Sequence, residues 1–123
     1  MTATTDKTIS RFFAAMQGGA TAEAEMMSLF ADDATYVEPF TGALRTHRGR
    51  DAIRKTMQAG WETPVPDMRI EVDRVDVDGA TVRARWTCYS PGLPGGKGSG
   101  ENVFTLRDGK IERLETRYLS DQT

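Results

Sequence analysis

Glu38 ends a short run, Ala34-Thr35-Tyr36-Val37-Glu38, that Pro39 stops and that aromatic residues such as Phe30 and Phe40 flank. A carboxylate in such company is a poor core residue and a good site for chemistry, because burial disfavours its charged form. Strand alternation puts Ala34, Tyr36 and Glu38 on one face and Thr35 and Val37 on the other, so the Tyr36 hydroxyl accompanies the carboxylate. The plainer alternative for Glu38 is a partly solvated rim carboxylate paired with an arginine. Other reactive residues have simple readings. Asp32-Asp33 is helix-end and turn chemistry. His47 is the one histidine, which excludes a multi-histidine metal site, and it reads as a solvated loop residue. Cys88 shares the alternating set Val82, Ala84, Trp86, Cys88, where it reads as a small packed hydrophobe.

Bulk properties narrow the classes. A chain of 123 residues suggests a single domain, 1–123, with one core. It is 38% hydrophobic and 28% charged, an ordinary soluble composition. Sixteen basic against eighteen acidic residues leave a net charge of -2, so no nucleic-acid partner is expected. The single cysteine fits a reducing compartment, and no apolar run approaches the roughly 18 residues of a membrane span. The polar start is no signal peptide, so a cytoplasmic protein without membrane contact is expected.

These residues must be held by regular elements. Ile9, Phe12, Phe13 and Met16 follow helical spacing over residues 8–16, and Gly18-Gly19 stops that helix. A second helix starts at Thr21 as N-cap, with Glu23 and Glu25 in its first turn. After the strand at 34–38, a loop through Gly42 leads to a third helix at 50–59, anchored by Ile53 and Met57 and ended by Gly60. Pro64 and Pro66 force an extended passage. Strands at 68–77, 80–89, 101–107 and 110–119 follow, with Asp78-Gly79 and Asp108-Gly109 as hairpin turns. The glycine-rich stretch 91–100 contains Gly-Lys, but Pro91 occupies the first P-loop glycine position, so no nucleotide site is expected there. It reads as a long hairpin loop, or as a flap over a cavity mouth. Helices segregated from a mostly antiparallel sheet make the class α+β.

Phe30-Ala31-Asp32-Asp33-Ala34-Thr35, Glu38-Pro39-Phe40, Arg48-Gly49-Arg50-Asp51-Ala52-Ile53 and Asp108-Gly109-Lys110-Ile111 together resemble the NTF2-like superfamily, in its SnoaL-like and ketosteroid isomerase-like branches. The resemblance implies a cone, in which a curved, mostly antiparallel sheet wraps around three N-terminal helices and leaves an apolar pocket at its open end. Members include isomerases, cyclases, epoxide hydrolases, dehydratases and binding modules, so activity has to be argued from the site. In the ketosteroid isomerases the residue before the first-strand proline is an aspartate acting as general base. Here Glu38 stands in that place, one methylene longer. Aligning the Asp108-Gly109-Lys110 turn puts Asn102 at the position of the acid that holds the oxyanion, and an amide can donate there at any pH. The first-helix tyrosine donor is replaced by Phe12, which has no proton to give; Tyr36 is the other hydroxyl near Glu38.

Other branches fit less well. The Arg-x-Asp arrangement of the epoxide hydrolases corresponds to Arg83-Ala84-Arg85, without the aspartate. The late-strand aspartate of SnoaL-type cyclases has no counterpart among the inward positions Leu114, Thr116 and Tyr118. The resemblance therefore suggests a small-molecule pocket protein. Glu38, Asn102 and Tyr36 are its candidate catalytic groups, and Phe12, Met16, Phe40, Met57, Trp61, Trp86, Phe104 and Tyr118 its candidate lining. If it is an enzyme, proton transfer next to the carbonyl of an apolar steroid-, polyketide- or aromatic-like substrate is expected, without cofactor or metal. The alternative is a non-catalytic binding or accessory protein. The outer sheet face carrying Arg83, Arg85, Tyr89, Arg113 and Arg117 is the expected homodimer surface.

Overall fold

The computed structural model describes residues 2–39, 43–62 and 66–119. Phe40, Gly42 of the expected loop and Pro64 of the expected extended passage lie outside the described residues. Helix α1 (Thr2–Gly18) is followed by a 3-10 turn (Gly19–Ala22), α2 (Glu23–Ser28), β1 (Phe30–Glu38), β2 (Arg45–Arg48) and α3 (Arg50–Glu62). Four further strands complete the chain: β3 (Arg69–Asp78), β4 (Thr81–Tyr89), β5 (Lys97–Arg107) and β6 (Lys110–Tyr118). They form one six-stranded sheet in the order β2-β1-β6-β5-β4-β3. All neighbours pair antiparallel except β1 and β6, which run parallel. Three helices beside a mostly antiparallel sheet make this α+β, as the hydrophobic periods require. No helix among the described residues is long and apolar enough to cross a membrane.

The core forms where α1 lies on the inner face of the sheet. Phe12 meets Phe104 edge-to-face with ring centroids 5.1 Å apart, and Phe13 and Phe30 pack on the same ring of Phe12. Such edge-to-face pairs add about 1 kcal/mol beyond area burial. Ile53 and Met57 of α3 join this cluster, as their helical spacing predicts. The Thr8 hydroxyl donates to the carbonyl of Gly109 at 2.8 Å and ties α1 to the β5–β6 turn. That turn has positive φ at both Asp108 (54°) and Gly109 (78°), the backbone a two-residue hairpin needs and Asp-Gly supplies.

Several expectations are corrected. Asp32 and Asp33 are not in a turn: β1 starts at Phe30, and these aspartates sit in an irregular stretch of its pairing with β6. Their charges are answered by Arg50 at 2.5 Å and Arg107 at 2.8 Å. The early start of β1 follows from β6, whose Ile111 N–H donates to Leu29 O at 2.8 Å. Residues 45–48 form strand β2 rather than loop, its exposed Arg45, Thr46 and Arg48 suiting a charged sheet edge. Thr21 does not cap α2; its hydroxyl donates backwards to Gly18 O at 2.9 Å, within the 3-10 turn. Helix α3 runs through Gly60 to Glu62. Strand β5 absorbs Lys97 to Gly100, which leaves only a short connection after Ser90. That connection is closed by bonds from Ser90 N–H to Gly96 O and from Leu93 N–H to Ser90 O, the texture of a fixed corner rather than an open loop.

Candidate functional site

Between α1 and the inner sheet face lies a cavity of about 210 Å³. Helix α1 contributes Phe12, Phe13 and Met16; Met68 and the β3 residue Ile70 form a side wall, and Leu93 reaches in from the short connection. The side wall is held by Gln17, whose side chain donates to Met68 O at 2.5 Å and accepts from Ile70 N–H at 2.8 Å. Cys88 also lines the cavity, and burial pushes its thiol up, away from the reactive thiolate. The walls are almost wholly apolar.

Polarity is concentrated where β1, β6, β5 and β4 present Tyr36, Thr116, Asn102 and Trp86. The register places Asn102 opposite both Ala84 and Thr116, and Trp86 opposite Gly100. The indole therefore crosses the Gly100 backbone to reach Asn102. A Cβ at Gly100 would stand 2.2 Å from Trp86 Cζ2 and 2.8 Å from Arg117 O, so only glycine leaves this path open. Trp86 Nε1–H donates to Asn102 Oδ1 at 3.0 Å, and Thr116 Oγ1–H donates to the same oxygen at 2.9 Å. An indole N–H can only donate, so the amide oxygen must face Trp86 and the amide nitrogen must point away from it. The Tyr36 phenol shares this part of the cavity lining with Thr116. Burial, reinforced by the Glu38 charge, raises that phenol far above the ordinary tyrosine range, and Tyr36 is protonated.

Glu38 is 1% exposed and is not part of the cavity wall. Register pairs Glu38 with Arg45 and Tyr36 with His47 across the β1–β2 edge. Glu38 Oε2 accepts from Arg45 Nε at 2.8 Å and meets Arg45 Nη2 at 2.7 Å and His47 Nε2 at 2.9 Å. Arg45 also donates to Thr56 of α3 at 3.3 Å. His47 is thus a strand residue packed beside Tyr36, not a solvated loop histidine; its ring lies 6.0 Å from the Tyr36 ring. Burial and then the Glu38 charge also raise the Tyr118 phenol, which places the carboxylate near two cavity-lining tyrosines.

Of the residues named from sequence, Phe12, Met16, Tyr36, Trp86, Asn102 and Tyr118 line the cavity together. Phe104 and Met57 lie in the core, and Trp61 packs against its edge. Glu38 belongs to the neighbouring ionic cluster, and Phe40 lies outside the described residues. The arginine partner that the plainer reading allowed Glu38 is Arg45, although the carboxylate is buried rather than partly solvated; sequence reasoning named neither Arg45 nor His47 because β2 was not foreseen. It named Thr116 only as an inward position; its pairing with Asn102 requires the β5–β6 register. Among the described residues no group of acidic, histidine and cysteine side chains could hold a metal.

The chain matches the SnoaL-like domain family over residues 9–114. No curated protein matches it. Among solved structures, a candidate polyketide cyclase from Sinorhizobium meliloti is 25% identical, with 90% of this chain and 94% of that chain covered and a TM-score of 0.74. An NTF2-like protein of unknown function from Mesorhizobium loti is 20% identical, with 95% and 92% covered and a TM-score of 0.75. A candidate ketosteroid isomerase from Kribbella flavida is 18% identical, with 98% and 81% covered and a TM-score of 0.75. The fold is accordingly the NTF2-like α+β cone, and the protein belongs to the SnoaL-like domain family.

Proposed function

We propose that this protein binds a small, largely apolar molecule carrying a carbonyl-type oxygen, which the Asn102 amide holds at the polar end of the cavity. The observation that carries this reading is the orientation of Asn102: its oxygen takes two donors, which leaves its N–H groups for an acceptor in an otherwise apolar space. The volume of about 210 Å³ falls below the roughly 300 Å³ at which drug-sized pockets begin, which favours a one- or two-ring molecule over a four-ring steroid. Replacing Asn102 by Leu should weaken an aryl ketone about tenfold while sparing the matching hydrocarbon. Calorimetry showing equal loss for both would remove Asn102 from the reading.

A second reading adds chemistry. Glu38 would take a proton from carbon next to the held carbonyl and return it elsewhere, with Asn102 donating to the enolate oxygen. Its support is the closeness of the carboxylate to Tyr36 and Tyr118, together with the cyclase and isomerase names carried by similar structures. Under it, the Arg45 and His47 contacts loosen when substrate enters. Glu38→Gln should then abolish exchange of the α-protons of a bound ketone, followed by NMR in deuterated water, and leave affinity nearly intact. Unchanged exchange would sink the catalytic role.

A further inference from the structure

The cavity has a closed end and an open one. Along its inner face β5 carries Asn102, Gly100 and Gly98, paired in turn with Ala84, Trp86 and Cys88 of β4. Asn102 and Ala84 are buried, whereas Gly98 and Cys88 are half-buried. The same gradient runs along β6, from Thr116 at 3% to Tyr118 at 58% exposure. All three strands therefore open towards the same end, with Asn102 deep in the cavity and Gly98 at its mouth. The opposite rim is fixed, because the corner that holds Leu93 is closed by Gly92 N–H donating to Ser90 Oγ at 3.0 Å and by Ser90 donating to Pro66 O.

Gly98 differs from its neighbour two residues on. At Gly100 the Trp86 indole occupies the place of a side chain, but a Cβ at Gly98 would meet nothing within 4 Å. Nor does Gly98 have positive φ, so its backbone suits any residue. The fold does not ask for a glycine here, and what the glycine supplies is an unfilled exit. The size of the cavity says what would use that exit. An apolar cavity of about 150 Å³ holds one benzene ring, so about 210 Å³ holds a ring and its carbonyl group, about eight non-hydrogen atoms. Asn102 and Gly98 stand four residues apart, about 13 Å at the usual strand rise of about 3.4 Å. An aryl ketone held by the Asn102 amide reaches roughly 8 Å along that path, which leaves room for about four more carbons before Gly98.

We propose that Gly98 determines specificity by length, and that the site takes a rod-shaped ligand: a ring with a carbonyl at one end and an apolar extension opposite it, leaving over Gly98. Substituents beside the carbonyl meet the walls formed by Phe12, Phe13 and Ile70, whereas those opposite it run towards the mouth.

This inference rests on the ketone-binding reading above, and the test separates the two. The probes are acetophenone, its 4-ethyl, 4-butyl and 4-hexyl derivatives, and the 2-ethyl isomer, with dissociation constants from calorimetry. A fully buried methylene tightens binding about fourfold and a half-buried one about twofold, so the 4-butyl probe should bind about fifteenfold tighter than acetophenone. The 4-hexyl probe should gain no more than about twofold beyond that, because its last carbons lie in water. The 2-ethyl isomer should bind about fivefold more weakly than the 4-ethyl one. Gly98→Val should bring the ratio of 4-butyl to acetophenone affinity down to about twofold, and Gly98→Ala to an intermediate value. Circular dichroism should show both variants folded, and loss of fold in both would overturn the inference by showing that the fold requires the glycine. A ratio unchanged in Gly98→Val, or a 2-ethyl isomer bound as tightly as the 4-ethyl one, overturns it too and leaves the ketone-binding reading standing. Failure of every probe to bind at millimolar concentration overturns both.

Discussion

Two polar clusters sit side by side on β1 and its neighbours, and they treat their central group in opposite ways. Around Asn102 the partners are neutral and gathered on one atom, so the rest of the amide is left to the cavity. Around Glu38 a guanidinium and an imidazole close over the carboxylate and keep it out of the cavity wall. Burial is similar, at 5% and 1% exposure, so burial alone does not mark a binding group. What marks it is capacity left unspent after the protein's own bonds are made. A neutral hydrogen-bond chain can leave such capacity with a direction; an ion pair in a dry setting draws its partners in, because unpaired charge there is costly.

The sharpest way to break the comparison is to collapse the Asn102 side alone. Gly100→Val puts a branched side chain into the path of Trp86 and against Arg117 O, and should destabilise the fold by about 3 kcal/mol in urea unfolding. A stable variant with unchanged tryptophan fluorescence would mean the indole does not depend on that opening. Next comes the ionic side. Arg45→Met leaves Glu38 buried without its guanidinium; because Arg45 is itself half-exposed, the cost should be about 2 kcal/mol rather than the larger value of a fully buried pair. Adding Glu38→Gln should recover most of that loss, and no recovery would show that Arg45 acts through packing. Trp86→Phe keeps a ring but removes the donor, and should cost about 1 kcal/mol together with part of the ketone affinity.

The smallest effect belongs to the outer face, a solvated counterpart of the Glu38 cluster. The Arg117 hydrogen bond, with the charges of Arg117 and Arg113, holds the Glu115 carboxyl below the ordinary glutamate value of 4.5. A lowered folded-state value means stability that is present above the ordinary range and lost as pH falls through the lowered one. Glu115→Gln should therefore flatten the acid side of the stability profile below about pH 4.5, by roughly a few tenths of a kcal/mol after screening by solvent. Light scattering on the same variant also tests the homodimer expected through this face; a monomer in the unaltered protein at micromolar concentration would count against it.

Much of this contrast was legible in the residue order, and the missing part has a physical cause. The apolar period of α1, the Asp-Gly turns and the alternation of β4 are local signals, and they located Phe12, Met16, Trp86 and the inward side of the sheet. The two turn-like aspartates and the charged segment Arg45-Thr46-His47-Arg48 carry no strand signature, because their pairing partners lie on other strands. The closure of Glu38 by Arg45 and His47 was hidden for that reason. Asn102 could be placed by resemblance, but its direction could not, since that depends on an indole crossing a glycine on the next strand.

The parallel pairing of β1 with β6 has a consequence for how the molecule comes into being. It joins the β2–β1 edge to the rest of the sheet, bringing Tyr36 opposite Leu114, so this closure bridges most of the chain. High contact order of this kind slows folding, and the hydrogen bond between Thr116 and Asn102 cannot form until residues 110–118 have been synthesised. During synthesis the β3–β4–β5 meander can assemble first, while β1, with its buried-to-be carboxylate and phenol, waits in water. The cavity's polar end is then the last part of the sheet to be made, and a translation pause before β6 would hold the protein in a state with walls and no recognition.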